Sequence, residues 1–160
     1  MKNVIFIMSI VMLVSFTSAC KTKTGTKEVS TTEETNSEQQ AVSAEKELVG
    51  KHWKLIELFG NQVILEEGRP EAYIVFNAED NRFSGNAGCN RMSGSYELTG
   101  ADRISFSQVA VTRMMCINGM DTEDQFLQVI NTADSYIIKN DTLILNRARM
   151  APLARLVAVD

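Results

Sequence analysis

The chain of 160 residues has a single histidine, His52, and three cysteines, Cys20, Cys89 and Cys116. One histidine with the two cysteines of the folded region does not make a zinc site, and no Cys-x-x-Cys pair is present for thiol–disulfide exchange. A nucleophilic cysteine would need an activating base, and His52 alone is available for that role. It opens the first predicted strand beside Trp53, where packing or surface exposure is its expected use. The carboxylate pairs Glu66-Glu67, Glu79-Asp80 and Glu123-Asp124 are sequence neighbours in turns or at a helix start. Neighbours on a strand point to opposite faces, so such pairs do not converge for general acid–base work. Lysines and arginines are scattered singly in a chain of net charge −4, which argues against a nucleic-acid partner. The expectation is a non-enzymatic protein with no catalytic residue, no metal and no cofactor.

Aromatic residues are missing from Lys21 to Glu47, a stretch dominated by Thr, Glu, Lys, Ser and Gln. Such a composition buries too little apolar surface to offset the entropy of ordering and reads as a flexible tether. Its root-mean-square reach is roughly 30 Å. Ahead of it, Lys2 precedes the apolar run Val4 to Val14, which is shorter than the roughly 20 residues a membrane-spanning helix needs. Thr17-Ser18-Ala19-Cys20 is similar to a bacterial lipobox, with Thr17 where a leucine is usual. Residues 1–19 are therefore expected to be a lipoprotein signal peptide, and Cys20 the lipid attachment site. Residues 20–47 form the tether, and 48–160 the folded domain. Lys21 follows the cysteine in place of an aspartate. The expected location is the cell envelope, anchored through the N-terminal lipid to the outer membrane and facing the periplasm.

Short alternating runs dominate the domain. Strands are predicted at Trp53 to Leu58, Val63 to Leu65, Tyr73 to Phe76, Arg82 to Gly85, Gly94 to Leu98 and Arg103 to Ser107. A hairpin is predicted from Ser135 to Leu145, turning at Asn140-Asp141, and a last strand from Leu153 to Val159. One helix interrupts them. Thr122 and Gln125 have capping-box spacing, and Phe126, Val129, Ile130 and Ala133 form one apolar stripe. The pattern implies a mainly β chain with one helix: a small antiparallel β-barrel or strongly curled sheet with the helix packed on it.

Two segments carry more information than the rest. Gly85-Asn86-Ala87-Gly88-Cys89-Asn90-Arg91-Met92-Ser93-Gly94-Ser95-Tyr96 places three glycines, a cysteine and turn-forming asparagines together. Thr112-Arg113-Met114-Met115-Cys116 ends in the other cysteine of the folded region. The glycines are expected to serve positive φ or close backbone approach, since no helix follows them to make a phosphate loop. Two cysteines in an exported domain are most simply disulfide partners, although two buried thiols that never meet remain open. Met114-Met115-Cys116, with Met92 and Met120, could be imagined as soft Cu(I) ligands, but core filling is the expected use of the methionines. Asn90, Arg91 and Arg113 either hold the cysteine loop by hydrogen bonding or present a recognition surface.

These paired motifs closely resemble those of the META domain family, the group of the HslJ-like heat-shock lipoproteins. The resemblance covers Leu48 to Asp160 and implies a compact β-barrel-like domain with a helix packed on it. It also implies a role in envelope stress or drug tolerance, exerted through an envelope protein partner that the sequence does not name. The alternative is a carrier of small hydrophobic ligands, with a cavity lined by residues such as Ile104, Phe106, Ile137 and Leu143.

Overall fold

The computed structural model describes residues 43–65, 68–116, 120–148 and 150–159. The expected signal peptide, Cys20 and most of the expected tether lie outside the described residues. Helical residues 43–48 (α1) precede the first strand. Leu48 is buried, and its carbonyl accepts a 2.8 Å hydrogen bond from Trp53 Nε1. That bond satisfies the one polar atom of a fully buried indole and pins α1 to the sheet.

Among the described residues nine strands follow: β1 (His52–Leu58), β2 (Asn61–Gln62), β3 (Tyr73–Asn77), β4 (Arg82–Asn86), β5 (Arg91–Thr99), β6 (Arg103–Val111), β7 (Ser135–Lys139), β8 (Thr142–Asn146) and β9 (Ala154–Val159). Between β6 and β7 runs the long helix α2 (Met120–Thr132). All pairings are antiparallel, in the order β2-β1-β3-β4-β5-β6-β7-β8-β9, and a further β1–β9 pairing closes the sheet into a ring. β9 takes one edge of β1 from His52 to Leu58. The other edge is shared, with β3 on His52–Lys54 and β2 on Glu57–Leu58. The chain is thus mostly β with one main helix, as its sequence pattern implies.

Turn chemistry sets much of the register. Phe59 and Gly60 both have positive φ between Leu58 and its partner Asn61, as do Asn140 and Asp141 between Lys139 and Thr142. Two-residue turns of that hand match the twist of the strands they join. Val63 to Leu65, expected as a strand, is irregular. The turn at Phe59-Gly60 directs Asn61–Gln62 back onto β1 instead, and after one more bond, from Val63 N–H to Ile56 O at 2.9 Å, the pairing ends.

The interior is filled by Trp53, Phe76, Phe83, Phe126, Ile74, Leu143 and Leu156. α2 lays Phe126, Val129 and Ile130 on this core, touching β1 and β6 from opposite sides of the ring. Burying each large apolar side chain contributes about 2 kcal/mol. The ion pairs Lys54–Glu71 (2.8 Å), Arg155–Glu57 (3.2 Å) and Lys51–Asp141 (3.6 Å) are partly or largely exposed and contribute roughly 0–1 kcal/mol each. The apolar core therefore holds the ring.

Candidate functional site

The two motif segments meet at one end of the ring. Cys89, in the loop between β4 and β5, pairs with Cys116, in the segment that leaves β6, and their Cα atoms are 6.0 Å apart. Both hydrogens and both lone pairs of the adjacent Asn90 carboxamide are used. Oδ1 accepts the Met114 N–H at 2.7 Å and the Thr112 hydroxyl at 3.0 Å. Nδ2 donates to the Met114 carbonyl and to Glu123 Oε1, each at 3.0 Å. The Asn90 backbone N–H donates to Glu123 Oε2 at 2.6 Å. Asn90 and Glu123 are 2 % and 5 % exposed, so these bonds form away from water, where leaving any unmade would cost about 1–3 kcal/mol. One asparagine therefore joins the cysteine loop, the strand exit and the first turn of α2.

The glycines of the first motif divide between two uses. Gly88 has a φ of 118°, which lets the loop turn so that its N–H meets Asn86 Oδ1 at 2.8 Å. Gly85 and Gly94 provide room: a Cβ at Gly85 would run into the Tyr73 carbonyl oxygen, and one at Gly94 would lie 2.6 Å from the Phe83 ring. Opposite Gly94 the β5–β6 register shifts, and Gln108 takes a φ of 51° in a β-bulge.

Against this clasp lies a groove of about 500 Å³ between the end of β6 and α2, lined by Val111, Arg113, Met114, Met115, Met120 and Leu127. Core filling holds only for Met92. Met114 is 67 % exposed, Met115 95 %, and Met120 is also exposed. Asn90, itself held by Glu123, anchors the backbone of this segment at Met114, and the methionine side chains face solvent. Arg113 lines the groove, whereas Arg91 lies in a neighbouring cleft with Tyr73, Ser84 and Ser93. Both arginines are exposed, and neither makes an ion pair among the described residues.

The other sequence candidates do not converge. His52 stacks on Tyr73 with ring centroids 4.1 Å apart, and its Nε2 lies 2.9 Å from Glu71 Oε1. Burial pushes the Glu71 carboxyl up, but hydrogen bonds from Lys54 and His52 outweigh it and hold the group below its ordinary 4.5. Glu79 and Asp80 sit exposed in the β3–β4 turn. Glu123 and Asp124 part company, one buried in the clasp and one in solvent. Among the described residues no group of three or more His, Cys, Asp or Glu side chains is placed to hold a metal. Ile104 and Leu143 belong to the packed core, Phe106 meets the Phe83 ring edge-on, and Ile137 faces solvent, so these four line no common cavity.

Sequence reasoning missed Glu123 as the partner of Asn90. The two are separated by 33 positions, and local periodicity carries no signal across such a gap.

The family model of the META domain matches residues 46–160. No curated protein gives a significant match. Among solved structures, an NMR structure of a protein from Burkholderia xenovorans is similar, with 22% identity and a TM-score of 0.57, over 73% of this chain and 87% of that one. A second NMR structure has 23% identity and a TM-score of 0.54, over 71% and 91%. The crystal structure of a DUF4847 family protein from Bacteroides vulgatus has 14% identity and a TM-score of 0.51, over 71% and 95%. At these identities the likeness is one of fold.

Proposed function

The chain belongs to the META domain family, and from that premise we propose that it is a non-enzymatic lipoprotein of the cell envelope, making protein contacts through its disulfide-stapled end. The observation that carries the reading is the groove itself. Met114 and Met115 stand in solvent while the backbone beneath them is fixed by a disulfide and a buried, fully bonded asparagine, and Met120 is exposed across the groove. Exposed methionines on a rigid support adapt to apolar partners. No constellation for chemistry competes with it among the described residues. The packed interior disfavours the ligand-carrier alternative.

The lipobox-like Thr17-Ser18-Ala19-Cys20 supports an anchor at Cys20, and the tether supports a domain standing off the outer membrane on its periplasmic side. Resemblance to heat-shock lipoproteins supports a part in tolerance of envelope stress or drugs. The test is complementation. A strain lacking this chain is expected to lose heat or antibiotic tolerance and regain it with the intact chain. Chains carrying Met114→Asp with Met115→Asp, or Cys20→Ser, are expected to fail. Full rescue by the methionine variant would contradict the contact surface, and full rescue by Cys20→Ser would contradict the anchor.

A further inference from the structure

Every other ladder around the ring has at least three residue pairs, but one seam has a single pair. β6 meets β7 through the single pair Arg103↔Ser135, flanked by the bonds Ile104 N–H to Asp134 O (3.3 Å) and Tyr136 N–H to Asp102 O (2.8 Å). Beyond that point, up to Val111, β6 pairs among the described residues with β5 alone. The direction of its backbone groups follows from the bonds that are made. Thr112 N–H donates to Arg91 O at 3.0 Å, and Met114 N–H donates to Asn90 Oδ1 at 2.7 Å, both towards the β5 side. Backbone groups alternate sides along an extended chain, so those of Val111 and Arg113 face the other way, into the groove beside α2.

A row of outward N–H and C=O groups is a template for another strand. Here the template has an apolar wall, formed by Met114, Met115, Met120 and Leu127. Its one free cation is Arg113, exposed and without an ion pair among the described residues, whereas the Glu123 charge is taken up by Asn90. The bulge at Gln108 interrupts the edge below, which confines pairing to the stretch beside the groove.

We infer that the end of β6, from Val109 to Arg113, is a strand-addition site for an extended peptide segment with alternating apolar side chains and a carboxylate that meets Arg113. Main-chain hydrogen bonds supply affinity in this mode, and alternate side chains in the apolar wall supply selectivity. The inference rests on the reading of the stapled end as the contact surface and names the chemistry of what it contacts.

The test uses the isotopically labelled full chain and a panel of six-residue peptides, alternating leucine with threonine and carrying one glutamate at each position in turn. In the free chain the amides of Val111 and Arg113 exchange with solvent about a hundredfold faster than those of Thr112 and Met114. At least one panel peptide binds saturably, slows exchange at Val111 and Arg113, and loses about tenfold or more in affinity when its own edge-facing amides are N-methylated. Arg113→Glu weakens the glutamate peptide and is restored by a peptide with lysine in place of glutamate. Protected Val111 and Arg113 amides in the free chain would overturn the inference. So would saturable binding by no panel member, or binding indifferent to N-methylation. Capture of the chain by phosphatidylglycerol vesicles, abolished by Met114→Asp with Met115→Asp, would reassign the groove to a lipid surface and overturn it as well. Strand addition can fail in this way while the methionine variant still fails to complement, so the two readings fall separately.

Discussion

The backbone N–H of Asn90 lies 2.6 Å from one Glu123 carboxylate oxygen, and the Asn90 side-chain Nδ2 lies 3.0 Å from the other. This two-pronged contact joins the cysteine loop to α2 in a place that water does not reach. Asn90→Ala is expected to cost roughly 2–4 kcal/mol, because it strands the Met114 N–H and half of the Glu123 carboxylate. Glu123→Gln keeps the shape but turns an amide donor towards one of the Asn90 donors, at a cost of about 1–3 kcal/mol. A double-mutant cycle by urea unfolding checks the pair, with an expected coupling of at least about 1 kcal/mol.

The disulfide acts on the same segment from its other end. Cys89→Ser with Cys116→Ser opens a loop with a separation of 27 positions, and the chain-entropy model gives a loss of about 3.5 kcal/mol. Because Asn90 still grips Met114, the expected result is a lower urea midpoint with the Met114 amide still protected from exchange. Loss of that protection would mean that the disulfide, and not the asparagine, positions the groove.

Gly94→Ala drives a methyl group against the Phe83 ring, which can give way only by disturbing its edge-on contact with Phe106. A cost of about 1–3 kcal/mol is expected. Gly85→Ala meets the Tyr73 backbone carbonyl, which cannot move without opening the β3–β4 ladder, and is expected to cost more. Thermal unfolding of the two variants side by side checks the order.

Two tyrosines are expected to make stability fall at alkaline pH. Burial, reinforced by Glu45, pushes the phenols of Tyr96 and Tyr136 above their ordinary value of 10.0. A raised folded-state pKa gives stability that is fully present below pH 10.0 and is lost as pH rises through the folded values. Absorbance titration should show tyrosinate signals delayed above pH 10 and released on unfolding. At the acid end Glu71, held below 4.5, contributes stability that is present above that pH and fades as pH falls through its lowered value. The two phenols also differ. Tyr96 Oη donates to Asn77 O at 3.2 Å, whereas Tyr136 Oη is buried with no hydrogen-bond partner among the described residues. Tyr96→Phe is expected to cost about 1 kcal/mol, and Tyr136→Phe to be neutral or stabilising.

Turns and stripes were legible in the sequence because they are local. Asn140-Asp141 marked its hairpin, and Phe126, Val129 and Ile130 marked the buried face of α2. The length of β6 was not. Alternation from Ile104 and Phe106 puts Gln108 on the inner face, and the bulge there resets the phase so that Val109 and Val111 become the half-buried positions. A strand that reaches Val111 therefore looks as though it stops at Ser107. The helix start was misplaced for a related reason. Thr122 and Gln125 have capping-box spacing, but α2 is already helical at Met120, and its first-turn carboxylate, Glu123, is committed to Asn90. Counting cysteines made Cys89 and Cys116 the simplest pair, but only their spacing in the fold brings the Cα atoms to 6.0 Å. No local pattern distinguishes methionines that fill a core from those held out in solvent by a clasp formed elsewhere in the chain.

The most direct measurement is photo-crosslinking in intact cells, with p-benzoylphenylalanine at Met115 in one chain and at Ile137 in another. Both side chains are solvent-exposed, but only Met115 stands at the stapled end. The account predicts a discrete protein adduct from Met115, lost when Asn90→Ala loosens the segment, and none from Ile137. Equal adducts from both positions, or none from Met115, would contradict it.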